Sequence, residues 1–108
     1  VAFIGDSITY GYGVKTSHRY SDITKELLHM HGKEIEVINR ALNGQPTDFA
    51  IISLSDLLSS QKKLDVVVIG SGFCDAYYGY PIEKTKNNLD KMVMLLLDRK
   101  IKVVIGII

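Results

Sequence analysis

Four short runs rich in valine and isoleucine, set among longer segments of helical period, constrain the fold of this chain more than any other feature. The runs are Val1–Ile4, Ile35–Asn39, Leu64–Ile69 and Ile101–Ile108. They are nearly continuous rather than alternating, the pattern of parallel strands covered on both faces. Between the first two, Tyr20, Ile23, Leu27 and Met30 recur at spacings of three and four and predict an amphipathic helix. A second helix is expected after Pro46, with Thr47 as N-cap, Asp48 in its first turn, and Ala50, Leu54 and Leu57 on its inner face. The third runs from about Pro81 to Arg99, with the stripe Leu89, Met92, Val93, Leu96 and Leu97. Pro81 stands near its start and Arg99-Lys100 at its carboxyl end, where cations suit the helix dipole.

The resulting order is β-α-β-α-β-α-β. With right-handed crossovers it predicts an α/β, three-layer αβα fold built on an open, doubly wound parallel sheet. Residues 1–108 read as a single domain. The chain has no initiator Met and both of its ends lie inside apolar runs. The expectation is therefore a domain truncated after its fourth strand and incomplete at the amino terminus as well.

Composition removes several function classes. Thirteen basic against twelve acidic residues give a formal charge of +1, without the basic excess of a nucleic-acid surface. Cys74 is the single cysteine, which excludes an internal disulfide and a cysteine-cluster metal site. With 46% hydrophobic and 23% charged residues the balance is that of a globular chain, and no membrane span is indicated. The compartment stays open.

Ligands of doubly wound sheets bind outside the carboxyl ends of the strands. Here those ends lead into Gly5–Gly13, Arg40–Pro46 and Gly70–Tyr80, the segments with the most glycine and the least periodicity. In order they carry G-D-S-I-T-x-G, N-R-A-L-N-G and G-F-C-D. Ester hydrolysis needs a nucleophile, a base to take its proton, and donors aimed at the developing oxyanion. Ser7, at the mouth of the first strand, supplies a hydroxyl. The backbone N–H groups of Ser7 and Gly44 would supply donors if they point at that oxyanion, glycine allowing close approach.

This ordered set of blocks resembles the SGNH hydrolases, also called the GDSL esterase/lipase family, over the whole chain. Gly79, Asn88 and Leu89 are similar to the branch of acyl-CoA thioesterase I, lysophospholipase and arylesterase. The resemblance implies the flavodoxin-like SGNH fold, attack by Ser7 on a small ester or thioester, and an acyl-enzyme hydrolysed by water. It implies no metal or organic cofactor and no nucleic-acid partner. Asp6, Gly72 and Asp75 would support the site, and Tyr77 and Tyr78 would wall an acyl or aryl pocket.

Two departures stand out. Cys74 occupies the place of the family's oxyanion asparagine, and a thiol is the weaker donor. The family's Asp-x-x-His block has no counterpart, since the three histidines are His18, His29 and His31. These residues alone are therefore expected to be inactive.

Plainer roles compete at each position. Ser7 would serve as a helix N-cap, Gly44 as a turn glycine with positive φ, Cys74 as a small buried thiol, and Asp6 as an acceptor for loop N–H groups. His18 reads as an exposed loop residue, while His29 and His31 read as partners of terminal carbonyls. The rival functions are a non-catalytic SGNH-like binding or scaffolding protein and a flavodoxin-like ligand-binding module. The second lacks both G-x-G-x-x-G and a P-loop lysine.

Overall fold

The computed structural model of the chain describes residues 1–60 and 63–106. It contains four parallel strands, β1 (Ala2–Gly5), β2 (Ile38–Asn39), β3 (Val66–Gly70) and β4 (Lys102–Ile105). The helices are α1 (Ser7–Tyr10), α2 (Tyr20–Met30), α3 (Thr47–Ser60), α4 (Phe73–Tyr77) and α5 (Ile82–Asp98), with a 3₁₀ turn over Thr16–His18. The spatial order is β2-β1-β3-β4, all pairs parallel. The expected α/β sheet is present.

The strand bounds differ from the predicted runs by up to three residues. β2 keeps only Ile38 and Asn39 of Ile35–Asn39, because as an edge strand it has β1 alone to pair with. β4 occupies the middle of Ile101–Ile108, of which Ile107 and Ile108 lie outside the described residues. α1 and α4 are single turns inside segments read as loops, too short for any periodicity to register.

The main core lies between the sheet and the helices α3 and α5. Ala2, Ile4, Val67 and Ile69 from the strands pack with Ala50, Leu54 and Leu57 of α3 and Met92 and Leu96 of α5. On α5 the stripe rotates from its predicted position: Leu97 is exposed, and Asn88 is buried in line with Met92 and Leu96. Thr47 is the first residue of α3 rather than its N-cap.

The other face is covered differently. α2 lies over β1, where the Tyr20 ring meets Phe3 edge-on at 5.4 Å between centroids. The remaining α2 stripe is exposed, Met30 by 70%, and Ser21 is the helix's one buried residue. Val104, in register with Val68 and Phe3 on that face, is 50% exposed. Among the described residues this second layer is half built.

Candidate active site at the sheet switch point

β1 and β3 are neighbours whose outgoing connections leave toward opposite faces. The chain after β1 runs to α2 on one side; the chain after β3 runs to α5 on the other. A crevice opens between two such strand ends. Gly5 and Gly70, the last residues of the two strands, are register partners there. A Cβ on Gly5 would lie 2.4 Å from the Gly70 carbonyl oxygen and 2.5 Å from Thr9 Oγ1. Thr9 is itself fixed, its hydroxyl sharing a 2.9 Å hydrogen bond with Tyr20 and its carbonyl accepting from Asn39 Nδ2 at 2.8 Å. The glycines let α1 sit directly on the strand ends. Gly5→Ala is therefore expected to cost about 3 kcal/mol, the upper part of the overpacking range, because a backbone oxygen cannot yield. Chemical denaturation measures this, and a loss below about 1 kcal/mol would mean that α1 lifts off freely.

Asp6 begins the first turn. It is buried, and its Oδ1 accepts from Ile8 N at 3.1 Å as the N-cap of α1. The expectation of Asp6 as a loop acceptor stands, and the alternative of Ser7 as the cap does not. Ser7 follows at the first helical position, half-buried beside the crevice. Gly11 ends the turn with φ 86°.

The second loop is drawn to the same strand end. Leu42 N and Gln45 Nε2 both donate to the Gly5 carbonyl, each at 3.1 Å. Gly44 lies between them, exposed, with φ 70°. Its carbonyl accepts from the Tyr78 hydroxyl at 3.3 Å.

The third loop forms α4, opened by Gly72 at φ 128°. Cys74 is buried on this turn. Burial, with the nearby Asp6 and Asp75 carboxylates adding to it, pushes its thiol above the ordinary value. The thiolate needed for nucleophilic attack is thus disfavoured, in keeping with a packed thiol. Asp75, 1% exposed, accepts from Thr47 N at 2.7 Å, from the Thr47 hydroxyl, and from the Thr85 hydroxyl at 2.7 Å. Asn88 Nδ2 donates to Thr47 Oγ1 at 3.0 Å. One carboxylate thereby joins α4, α5 and the start of α3, and supplies from 28 residues away the cap expected of Thr47 itself.

Two cavities flank these loops. One, of about 420 Å³, lies beside Gly44 and is walled by Leu42, Phe49, Tyr78 and Tyr80. Tyr78 lines this cavity. Tyr77 does not line this cavity: it is 78% exposed and stacks edge-on against Tyr78 at 5.6 Å. Tyr80 takes the place on the wall instead. The other cavity, about 540 Å³, opens beside Asp6, Ser71, Phe73 and Leu89. Asp6 Oδ2 and Ser71 Oγ are buried there without a partner among the described residues.

The histidines stand apart from this arrangement. His29 pairs with the Glu34 carboxylate rather than with terminal carbonyls. His29 and His31 close α2, which has run back toward the amino ends of the strands. His18 is exposed in the 3₁₀ turn, as read from the sequence. Among the described residues no three His, Cys, Asp or Glu side chains are placed to hold a metal ion, and no helix is long and apolar enough to cross a membrane.

Residues 3–108 match the GDSL-like lipase/acylhydrolase family. The chain belongs to that family. An arylesterase of Vibrio mimicus is 32% identical over 101 residues, which cover 94% of this chain and 50% of that protein. The crystal structure of AlinE4, an SGNH-hydrolase family esterase, superposes with a TM-score of 0.91 at 26% identity, over 96% of this chain and 56% of the other. The structure of TesA gives 0.91 at 27% identity, over 98% and 59%. The chain thus spans about half the length of these relatives. Membership places it on the SGNH-hydrolase fold that its parallel sheet displays.

Proposed function

We propose that Ser7 is the nucleophile of a serine hydrolase acting on small carboxylic esters or thioesters. The observation that carries this reading is the meeting of three loops at one switch point. The Asp6–Ser7 turn, the Gly44 turn and α4 all converge on the carboxyl ends of β1 and β3. Ser7 Oγ would attack the carbonyl carbon while its proton passes to a base. The N–H groups of Ser7 and Gly44 would donate to the oxyanion, and collapse would expel the alcohol or thiol to leave an acyl-Ser7 ester. Water would then release the acid. The aromatic cavity beside Gly44 suits an acyl or aryl group. The base has no counterpart among residues 1–108, so this reading takes the Asp–His pair from the remainder of a complete protein of its relatives' length. Residues 1–108 alone are expected to be inactive.

The direct test is covalent labelling. A reactive aryl phosphonate incubated with the complete protein is expected to add one phosphonyl group at Ser7, located by peptide mass spectrometry. Labelling elsewhere, or none beside measurable ester hydrolysis, would sink the Ser7 reading; neither labelling nor hydrolysis would favour a non-catalytic family member.

Cys74 gives a second prediction. Loss of one oxyanion donor typically costs on the order of 10²–10³ in kcat. Cys74→Asn restores a carboxamide at a buried position, and kcat of the complete protein is expected to rise by about tenfold. An unchanged or lower kcat would show that position 74 does not face the oxyanion.

A further inference from the structure

Gln45 stands in a loop between Gly44 and Pro46, where a polar residue would ordinarily be solvated, yet it is only 5% exposed. Both ends of its carboxamide are used. Nε2 donates to the Gly5 carbonyl at 3.1 Å, and Oε1 accepts from the Ser53 hydroxyl of α3 at 2.9 Å. The Gly5 carbonyl belongs to the peptide that immediately precedes Asp6 and Ser7. Its second lone pair accepts from Leu42 N, so the two flanks of the Gly44 turn grip one oxygen. Gln45 therefore spans the strand end that carries Ser7, the turn that carries Gly44, and the body of α3.

We propose that Gln45 is a positioning residue for the oxyanion site: it fixes the Gly44 amide relative to the Ser7 amide. Two donors stabilise a transition state more than a ground state only when their separation is set before the reaction. Gly44 cannot set it alone. Its turn is exposed, and among the described residues the one hydrogen bond to its carbonyl comes from a half-exposed tyrosine at 3.3 Å. The buried amide bridge at Gln45 is the stiffer restraint, since breaking it leaves a donor and an acceptor unpaired away from water. The proposal rests on the reading of Ser7 and Gly44 given above, and its test separates the two.

Gln45→Met keeps length and volume and removes the donor; Gln45→Glu keeps shape and turns the donor end into an acceptor facing a carbonyl. In each variant the Leu42 amide of the chain is expected to exchange with solvent deuterium at least about tenfold faster, while the Leu54 amide inside α3 keeps its protection. In the complete protein kcat for an aryl ester should fall by about 10- to 100-fold with KM within about threefold, the split expected when transition-state stabilisation is lost and ground-state binding is kept. Unchanged Leu42 exchange overturns the clamp, whatever happens to activity. Faster exchange with kcat within about twofold, in a protein that Ser7→Ala inactivates, overturns the positioning role. Full activity in Ser7→Ala contradicts the nucleophile reading instead, and the exchange experiment still decides whether the clamp exists. Should one variant fail to fold, the other carries both measurements.

Discussion

Ser7→Ala in the complete protein is expected to lower kcat for ester hydrolysis by on the order of 10⁴-fold, with little change in stability. The two halves of that expectation have different origins. The rate loss follows from the proposed role: without Oγ no acyl-enzyme forms, and oxyanion donors alone retain only modest catalysis. The neutral stability follows from the structure. The cap of α1 is made by Asp6 Oδ1 on Ile8 N, so the Ser7 hydroxyl is not needed to start the helix. A half-buried serine without that duty should tolerate alanine within about 0.5 kcal/mol. Asp6→Ala, in contrast, removes the cap and is expected to cost about 1 kcal/mol. Steady-state kinetics and denaturation on the same samples check both. If Ser7→Ala keeps wild-type kcat, the nucleophile is elsewhere. If it loses both activity and more than about 2 kcal/mol, the activity loss carries no mechanistic meaning.

Asp75→Ala is expected to be the most destabilising single change among the loop residues, by about 3–5 kcal/mol. Three donors converge on this carboxylate: Thr47 N, Thr47 Oγ1 and Thr85 Oγ1. Hydrogen bonds to a charged group contribute about 1.5–3 kcal/mol each, and they are not additive within one network. Removing the acceptor also leaves the Thr47 N–H, an orphan at the start of α3, buried without a partner. Asp75→Asn keeps one acceptor oxygen and should lose less, about 2 kcal/mol. Urea denaturation of the chain gives both values. A loss below about 1 kcal/mol in Asp75→Ala would show that water replaces the carboxylate, and that the start of α3 is held by core packing alone.

The order of elements was legible because it is written in local signals. Val- and Ile-rich runs, periods of three and four, and two prolines at helix starts each act within a few residues. The positions of Ser7, Gly44 and Cys74 were legible for a related reason: in a parallel sheet the loops after the strands must gather on one edge. Where the reading failed, the deciding contact was distant. Met30 and Leu27 have the spacing of an inward stripe, yet amphipathicity says nothing about whether a surface lies opposite, and among the described residues none does. Tyr77, Tyr78 and Tyr80 are equivalent by type, but Tyr80 and not Tyr77 joins Tyr78 on the cavity wall. Gln45 is not legible in the sequence, because a polar residue beside glycine and proline has the pattern of a solvated turn. Its one hint was the place itself, next to the glycine assigned to the oxyanion.

By itself, then, the sequence determined that this chain builds a parallel sheet with helices between its strands and sets a glycine-flanked serine at the end of the first one. Those features depend on backbone sterics and on side-chain period, which act over a turn or a strand. The tertiary structure alone decided which groups hold that serine's surroundings in place. Asp75 caps a helix 28 residues away, and Gln45 reaches back 40 residues to the last carbonyl of β1. Such partners are chosen by which loops the sheet order brings together. A buried carboxylate or carboxamide shows its role only when the donors and acceptors around it have arrived.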